Sequence, residues 1–198
     1  MHMKPSSGEM KGRWNVSEAS ALRSRRILSL AIIMIAITIA AVYLYRDYEA
    51  KGQKASIVRA GDDLPTITLK NLAGESTTVQ EMNASSPMLI NFWASWCKPC
   101  INELPLLNEA QAFAPEVTFV AINMKEGLDK IEPLIERYDL TMMVLRDEHL
   151  SWKKVLAMQG YPVTILVNGD GVIQHIHTGA YTSIEEIIGQ ASMLTPSS

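Results

Sequence analysis

An apolar run, Met88-Leu89-Ile90-Asn91-Phe92-Trp93, leads through Ala94-Ser95-Trp96 into Cys97-Lys98-Pro99-Cys100, and these are the only two cysteines in 198 residues. No other feature restricts the fold as strongly. A short, nearly continuous apolar stretch reads as a strand buried on both faces. Pro99 then falls in the first turn of a following helix, where a missing N–H removes no hydrogen bond. Strand, CxxC and helix in that order form the signature of a thiol–disulfide exchange site. The two thiols can close a small ring, and no third thiol competes for either.

Chemistry assigns the two sulfurs different tasks. The thiolate is the nucleophile, and a free cysteine of pKa about 8.5 is only about 3% ionised at pH 7. A helix N-terminus carries partial positive charge and unpaired N–H donors, so a sulfur placed there ionises more readily. Cys97, on the exposed N-terminal side, is the expected attacking cysteine. Cys100, one turn inside the helix, is the expected resolving thiol that releases the mixed disulfide. Lys98 either adds electrostatic help or is solvated surface. Glu103 follows Cys100 by three residues, which places both on one helix face. By spacing alone it is either a solubilising surface carboxylate or a group beneath the site.

Zinc is the competing explanation of a CxxC, but a zinc site needs about four ligands. The available pair is His175 and His177, which alternate to one side of a probable strand as ordinary surface histidines also do. No metal is expected. The formal net charge of −3 gives no reason to expect a nucleic-acid partner.

A second feature lies upstream. Ile27 to Tyr45 contains no charged residue, and 19 residues of helix span about 28 Å, close to the hydrocarbon thickness of a bilayer. Tyr43, Tyr45 and Tyr48 stand at one end, where aromatic rings favour the membrane interface. Residues 27–45 are therefore expected to be an uncleaved transmembrane anchor. The run is longer than a signal-peptide core and exits through Tyr-Leu-Tyr rather than small residues. Arg23, Arg25 and Arg26 crowd the N-terminal end, so residues 1–26 are expected as a cytoplasmic tail. Residues 46–60 read as a polar stalk, and residues 61–194 as one folded domain.

Within that domain Thr66–Leu69 and Thr77–Val79 are expected to form a hairpin, followed by the strand Met88–Trp93. The helix after Lys98 contains Pro105, which removes an internal hydrogen bond. Val117–Asn123, Met142–Leu145, Val163–Val167 and Val172–His177 read as strands. Leu128–Tyr138, Trp152–Met158 and Ile184–Met193 read as helices. Asn168-Gly169-Asp170-Gly171 supplies turn chemistry between the last two strands. Alternating strands and helices with a terminal hairpin indicate a mixed α/β sheet covered on both faces.

The run Phe92-Trp93-Ala94-Ser95-Trp96-Cys97-Lys98-Pro99-Cys100, Pro105, the N-terminal hairpin and the insertion-like segment before Tyr161-Pro162-Val163-Thr164 together resemble the thioredoxin fold. The closer resemblance is to the membrane-anchored ResA/TlpA group of extracytoplasmic thiol–disulfide oxidoreductases, over about Gly61 to Leu194. This implies a thioredoxin-like α/β fold with an N-terminal β-hairpin and a central insertion, preceded by one transmembrane helix. It also implies a cis Tyr161–Pro162 bond beside the disulfide, although a proline before a strand is usually trans. Thioredoxins place a buried aspartate where this chain has Asn91, and an amide takes no proton from Cys100. The ResA-like pattern has a glutamate where Glu103 stands, which makes Glu103 the expected proton acceptor.

The resemblance further implies a substrate-facing surface of Trp96, Lys98, Pro99, Tyr161 and Pro162. Trp93 and Trp96 are read mainly as packing, with Trp96 also shielding one side of Cys97. Expected partners are protein thiols or disulfides, apocytochrome c among them, and a membrane redox partner of the thiol-transfer kind. No cofactor is implied. The expected placement is the cell membrane, single-pass, with the catalytic domain extracytoplasmic and acting as a reductant in cytochrome c maturation or in envelope or spore assembly. The alternatives are a peroxiredoxin-like thiol peroxidase and a metal-binding thioredoxin-like carrier. Against the peroxidase, Ala94 occupies the place of the threonine in a Thr-x-x-Cys setting.

Overall fold

The computed structural model describes residues 29–44, 57–82 and 86–194. The chain divides into two compact units, Met1–Lys54 and Ala55–Ser198. In the first unit the described element is a helix, α1, over residues 29–44. Among the described residues no helix is long and apolar enough to cross a membrane. Ile27, Leu28 and Tyr45 of the expected span lie outside the described residues, as do the whole of the expected tail and most of the expected stalk. Ile33, Ile37 and Val42 of α1 are exposed.

The second unit is built on a seven-stranded sheet in the order β2-β1-β5-β4-β3-β6-β7. The strands are β1 (Leu69–Lys70), β2 (Ser76–Thr77), β3 (Met88–Trp93), β4 (Thr118–Met124), β5 (Met143–Asp147), β6 (Val163–Val167) and β7 (Ile173–Thr178). The helices are α2 (Val79–Met82), α3 (Lys98–Ala110), α4 (Leu128–Arg137), α5 (Ser151–Val155) and α6 (Ile184–Ala191). β3, β4 and β5 run parallel, while β6 and β1 flank them antiparallel. Every residue of β3 is buried, as its nearly unbroken apolar run requires. The segment between β4 and β6 contributes α4, β5 and α5, and β5 joins the sheet rather than forming a separate insertion.

Period-two alternation sorts β3 onto two cores. Leu89 and Trp93 face a cluster with Leu104 and Leu107 of α3, Ile131 of α4 and Ile187 of α6. Ile90 and Phe92 face another, with Ile122, Leu145, Trp152 and Ile165. Val58 belongs to the second cluster, and its N–H donates to the Val155 carbonyl at 2.7 Å, so ordered chain begins before Gly61.

Local chemistry moved several boundaries. The hairpin is real but shorter than its pattern, because Val79 begins α2 instead of continuing β2. Thr78 and Glu81 form a reciprocal cap: the Glu81 N–H donates to Thr78 Oγ1 at 3.1 Å, and the Thr78 N–H donates to Glu81 Oε2 at 2.9 Å. That capping box outweighs the strand preference of Thr77-Thr78-Val79. α5 starts at Ser151 because Asp147 accepts the N–H groups of His149, Ser151 and Trp152. α3 continues through Pro105 to Ala110. α6 ends at Ala191 and passes into a 3₁₀ turn over Ser192–Leu194.

Candidate active site

β3 ends at Trp93, and the loop Ala94–Trp96 carries the chain over the sheet to Cys97, the N-cap of α3. Cys97 and Cys100 are joined in a disulfide with Cα atoms 5.3 Å apart. The Cys100 N–H donates to Cys97 Sγ at 3.3 Å. A donor aimed at this sulfur, at the positive end of a thirteen-residue helix, stabilises the thiolate once the bond is reduced. Cys97 is 6% exposed and Cys100 is 0% exposed. An incoming sulfur therefore reaches Cys97 first.

The approach loop is clamped by a residue that the sequence did not single out. Glu126 accepts the Ser95 N–H at 2.7 Å and the Ser95 hydroxyl at 2.6 Å, and Asn123 Nδ2 donates to it at 2.7 Å. The register of the parallel pair, in which Trp93 lies beside Asn123, brings them together, and no local sequence signal marks it. Polar residues at the C-terminal end of β4 thus face the loop leaving β3.

Beneath the disulfide Glu103 is fully buried, which decides against the surface reading. Its Oε1 accepts from Asn91 Nδ2 at 2.8 Å, and its Oε2 accepts the Tyr181 N–H at 2.9 Å. Asn91 Nδ2 also donates to Thr164 Oγ1 at 3.0 Å, and its Oδ1 has no hydrogen-bond partner. Burial raises the Glu103 pKa to about 7. The Tyr181 N–H and the Asn91 amide pull it down, and the Glu186 charge adds a small upward push. A carboxyl balanced near neutrality one turn from Cys100 can accept or return a proton without leaving its site. Asn91 is no base, but it holds the Glu103 carboxyl. Tyr181 comes from the distant 179–183 loop, and no local pattern marks it. Its hydroxyl donates to Gln190 Oε1 at 2.6 Å, and burial pushes its pKa upward.

Above the disulfide the rim is aromatic. Trp96 is 70% exposed, which corrects the packing assignment; Trp93, fully buried, is the core tryptophan. The Trp96 ring meets Tyr161 edge-on at 5.7 Å between centroids, and Lys153 Nζ lies 5.8 Å from the Tyr161 centroid. The Tyr161–Pro162 bond is cis. Lys98 and Pro99 line a groove of 420 Å³ together with Asn102 and Leu106 of α3 and the 180–182 loop. The histidine pair does something else: His177 stacks on Tyr181 at 4.3 Å with Nδ1 3.3 Å from Gln190 Nε2, while His175 is exposed. Among the described residues no three His, Cys, Asp or Glu side chains converge as a metal site.

The sequence comparisons with known proteins place the chain in a family, and a structural one bears on its fold. The family model described as Redoxin matches residues 59–189. The thioredoxin-like protein YneN of Bacillus subtilis is 32% identical over 145 residues, covering 70% of this chain and 82% of the relative. The thiol-disulfide oxidoreductase ResA of Halalkalibacterium halodurans is 29% identical over 167 residues, covering 82% of this chain and 91% of the relative. Among solved structures, StoA of Bacillus subtilis superposes with a TM-score of 0.54 at 24% identity, over 63% of this chain and 95% of that one. That likeness concerns the fold alone.

Proposed function

This chain belongs to the Redoxin family, and from that membership we propose that it is a ResA-like thiol–disulfide oxidoreductase, acting as a membrane-tethered, extracytoplasmic reductant of protein disulfides. Reduced Cys97, as thiolate, attacks one sulfur of a substrate disulfide. A mixed disulfide forms, and the first substrate thiolate leaves and takes a proton from solvent. Cys100 then loses its proton to Glu103 and attacks Cys97 Sγ. The second substrate thiolate leaves, and the ring observed between Cys97 and Cys100 closes. Two electrons pass from the protein dithiol to the substrate, and the proton held on Glu103 accompanies the second leaving thiolate.

The observation that carries this reading is the buried Glu103, held by Asn91 and Tyr181 one turn from Cys100 with a pKa of about 7. The uncharged stretch at residues 27–45, with its N-terminal arginines, supports the tether and an outward-facing domain. Persistence of disulfide substrates outside the cytoplasm supports the same placement. Apocytochrome c cysteines before haem attachment are the substrate class that the family resemblance implies, and a membrane thiol-transfer protein is the matching electron donor.

One experiment in intact bacterial cells tests both parts. The Cys100→Ala chain should accumulate mixed disulfides through Cys97 on non-reducing gels. A membrane-impermeant maleimide should label Cys97 after mild reduction. Labelling that appears only after lysis would overturn the orientation, and mixed disulfides formed through Cys100 in the Cys97→Ala chain would overturn the roles.

A further inference from the structure

Beside the site stand two lysines, Lys98 and Lys153, that form no ion pair among the described residues. Lys98 follows Cys97 directly and is exposed. Lys153, on α5, lies over Tyr161, which meets Trp96, which precedes Cys97. Lys153, Tyr161 and Trp96 thus lead towards Cys97 from one side, and Lys98 follows Cys97 in the chain. The described ion pairs are Lys130–Asp129 and Arg146–Glu148, and neither involves a rim lysine.

The carboxylates near this line are committed inward. Glu126 is held by Ser95 and Asn123. Burial raises the Tyr161 pKa and the Asp147 charge adds to it, yet Asp147 is buried and accepts three backbone N–H groups at the start of α5. Glu103 is buried beneath the disulfide. The chain as a whole carries a net charge of −3, against which the two rim lysines stand as positive charges. Short-range charge complementarity at such a rim acts on encounter and register more than on bulk attraction.

We propose that this rim selects substrates whose reactive cysteine lies in an extended segment with a carboxylate on each side, one meeting Lys98 and the other meeting Lys153 across the Trp96–Tyr161 surface. The inference rests on the thiol-exchange reading above and adds the substrate class.

The test measures second-order rates for the reduced full chain in non-ionic micelles against three disulfide-linked peptides that differ only in the residues flanking cysteine: glutamate, glutamine or lysine. At low ionic strength the glutamate peptide should react about 10-fold faster than the lysine peptide. In about 0.5 M salt the two should converge to within about two-fold, since a rim contact at the surface is screened. The variant Lys98→Glu with Lys153→Glu should reverse the order. Lys130→Glu, an equal charge change outside the rim, should preserve it. The ratio of peptides is read rather than any single rate, because Lys98→Glu also alters the thiolate population of Cys97. Equal rates for the three peptides at low salt, or an order that survives the double reversal, would overturn the inference while leaving thiol exchange intact. The salt titration needs no variant, so misfolding of the double variant cannot shelter the idea. Failure of the glutamine peptide to exchange at all would remove the thiol-exchange reading, and this inference with it.

Discussion

Both faces of the sheet carry an apolar core, but only one of them also buries a polar cluster. Against one, Phe92, Ile122, Leu145, Trp152 and Ile165 make an apolar layer. Against the other, beneath α3, the same strands present Asn91 and Thr164, and α3 adds Glu103, all buried. Alternation along β3 and β6 makes this possible: Asn91 and Thr164 occupy the positions between residues that face the apolar layer. The apolar face contributes stability through area removed from water. The polar face gives up part of that gain to keep a carboxyl where its protonation is evenly balanced. The contrast separates an all-apolar layer from a buried polar cluster, and substitutions on each should act on different properties.

The largest effect is expected at the sulfur. Cys97→Ala should abolish exchange, measured as turnover of a model disulfide, with the fold retained by circular dichroism. Residual turnover above background would mean that Cys100 can attack directly. On the apolar face, Ile165→Ala should cost about 2–5 kcal/mol of stability by removing buried methyl groups, with the exchange rate per folded molecule unchanged. A rate that falls with stability would blur the division between the faces.

Glu103→Gln should slow resolution of the mixed disulfide by about 10²-fold, as for a lost acid–base group. It should also remove an inflection near the Glu103 pKa of about 7 from the pH–rate profile. The same substitution sharpens the comparison through stability. The folded Glu103 pKa lies above the ordinary carboxylate value of 4.5. Its contribution is therefore fully present below that value and is lost as pH rises through about 7. The Tm of the oxidised wild-type protein should fall across this window by more than that of Glu103→Gln. Parallel Tm curves would show that Glu103 is not the titrating group. The smallest effect is expected at Glu126. Glu126→Gln keeps the shape but loses the charge on the Ser95 clamp, and should cost about 1 kcal/mol in stability and rate together. An unchanged rate at reduced stability would make Glu126 a loop anchor without influence on Cys97.

Much of the fold was legible because its signals are local. The apolar run of β3, the CxxC at a helix start, the proline in the first turn and the Asn168–Gly171 turn each specify their own backbone conformation. The errors of boundary had local causes too: Val79 went to α2 because Thr78 and Glu81 cap one another. Trp96 was misjudged because two tryptophans three residues apart look alike in composition. One closes β3 in the core, and the other stands in solvent against Tyr161.

The sequence by itself determined the paired sulfurs and the helix start on which Cys97 sits, because residues within one helical turn are neighbours in any fold. It also placed Glu103 on the helix face of Cys100, by the same geometry. Whether that face pointed to water or to the sheet was decided by tertiary structure alone. Tyr181 reaches Glu103 from 78 positions away, and Thr164 reaches Asn91 from 73. Glu126 clamps Ser95 only because β4 lies beside β3. A pKa depends on everything that excludes or replaces water around a group, and strand pairing brings those neighbours together from across the chain.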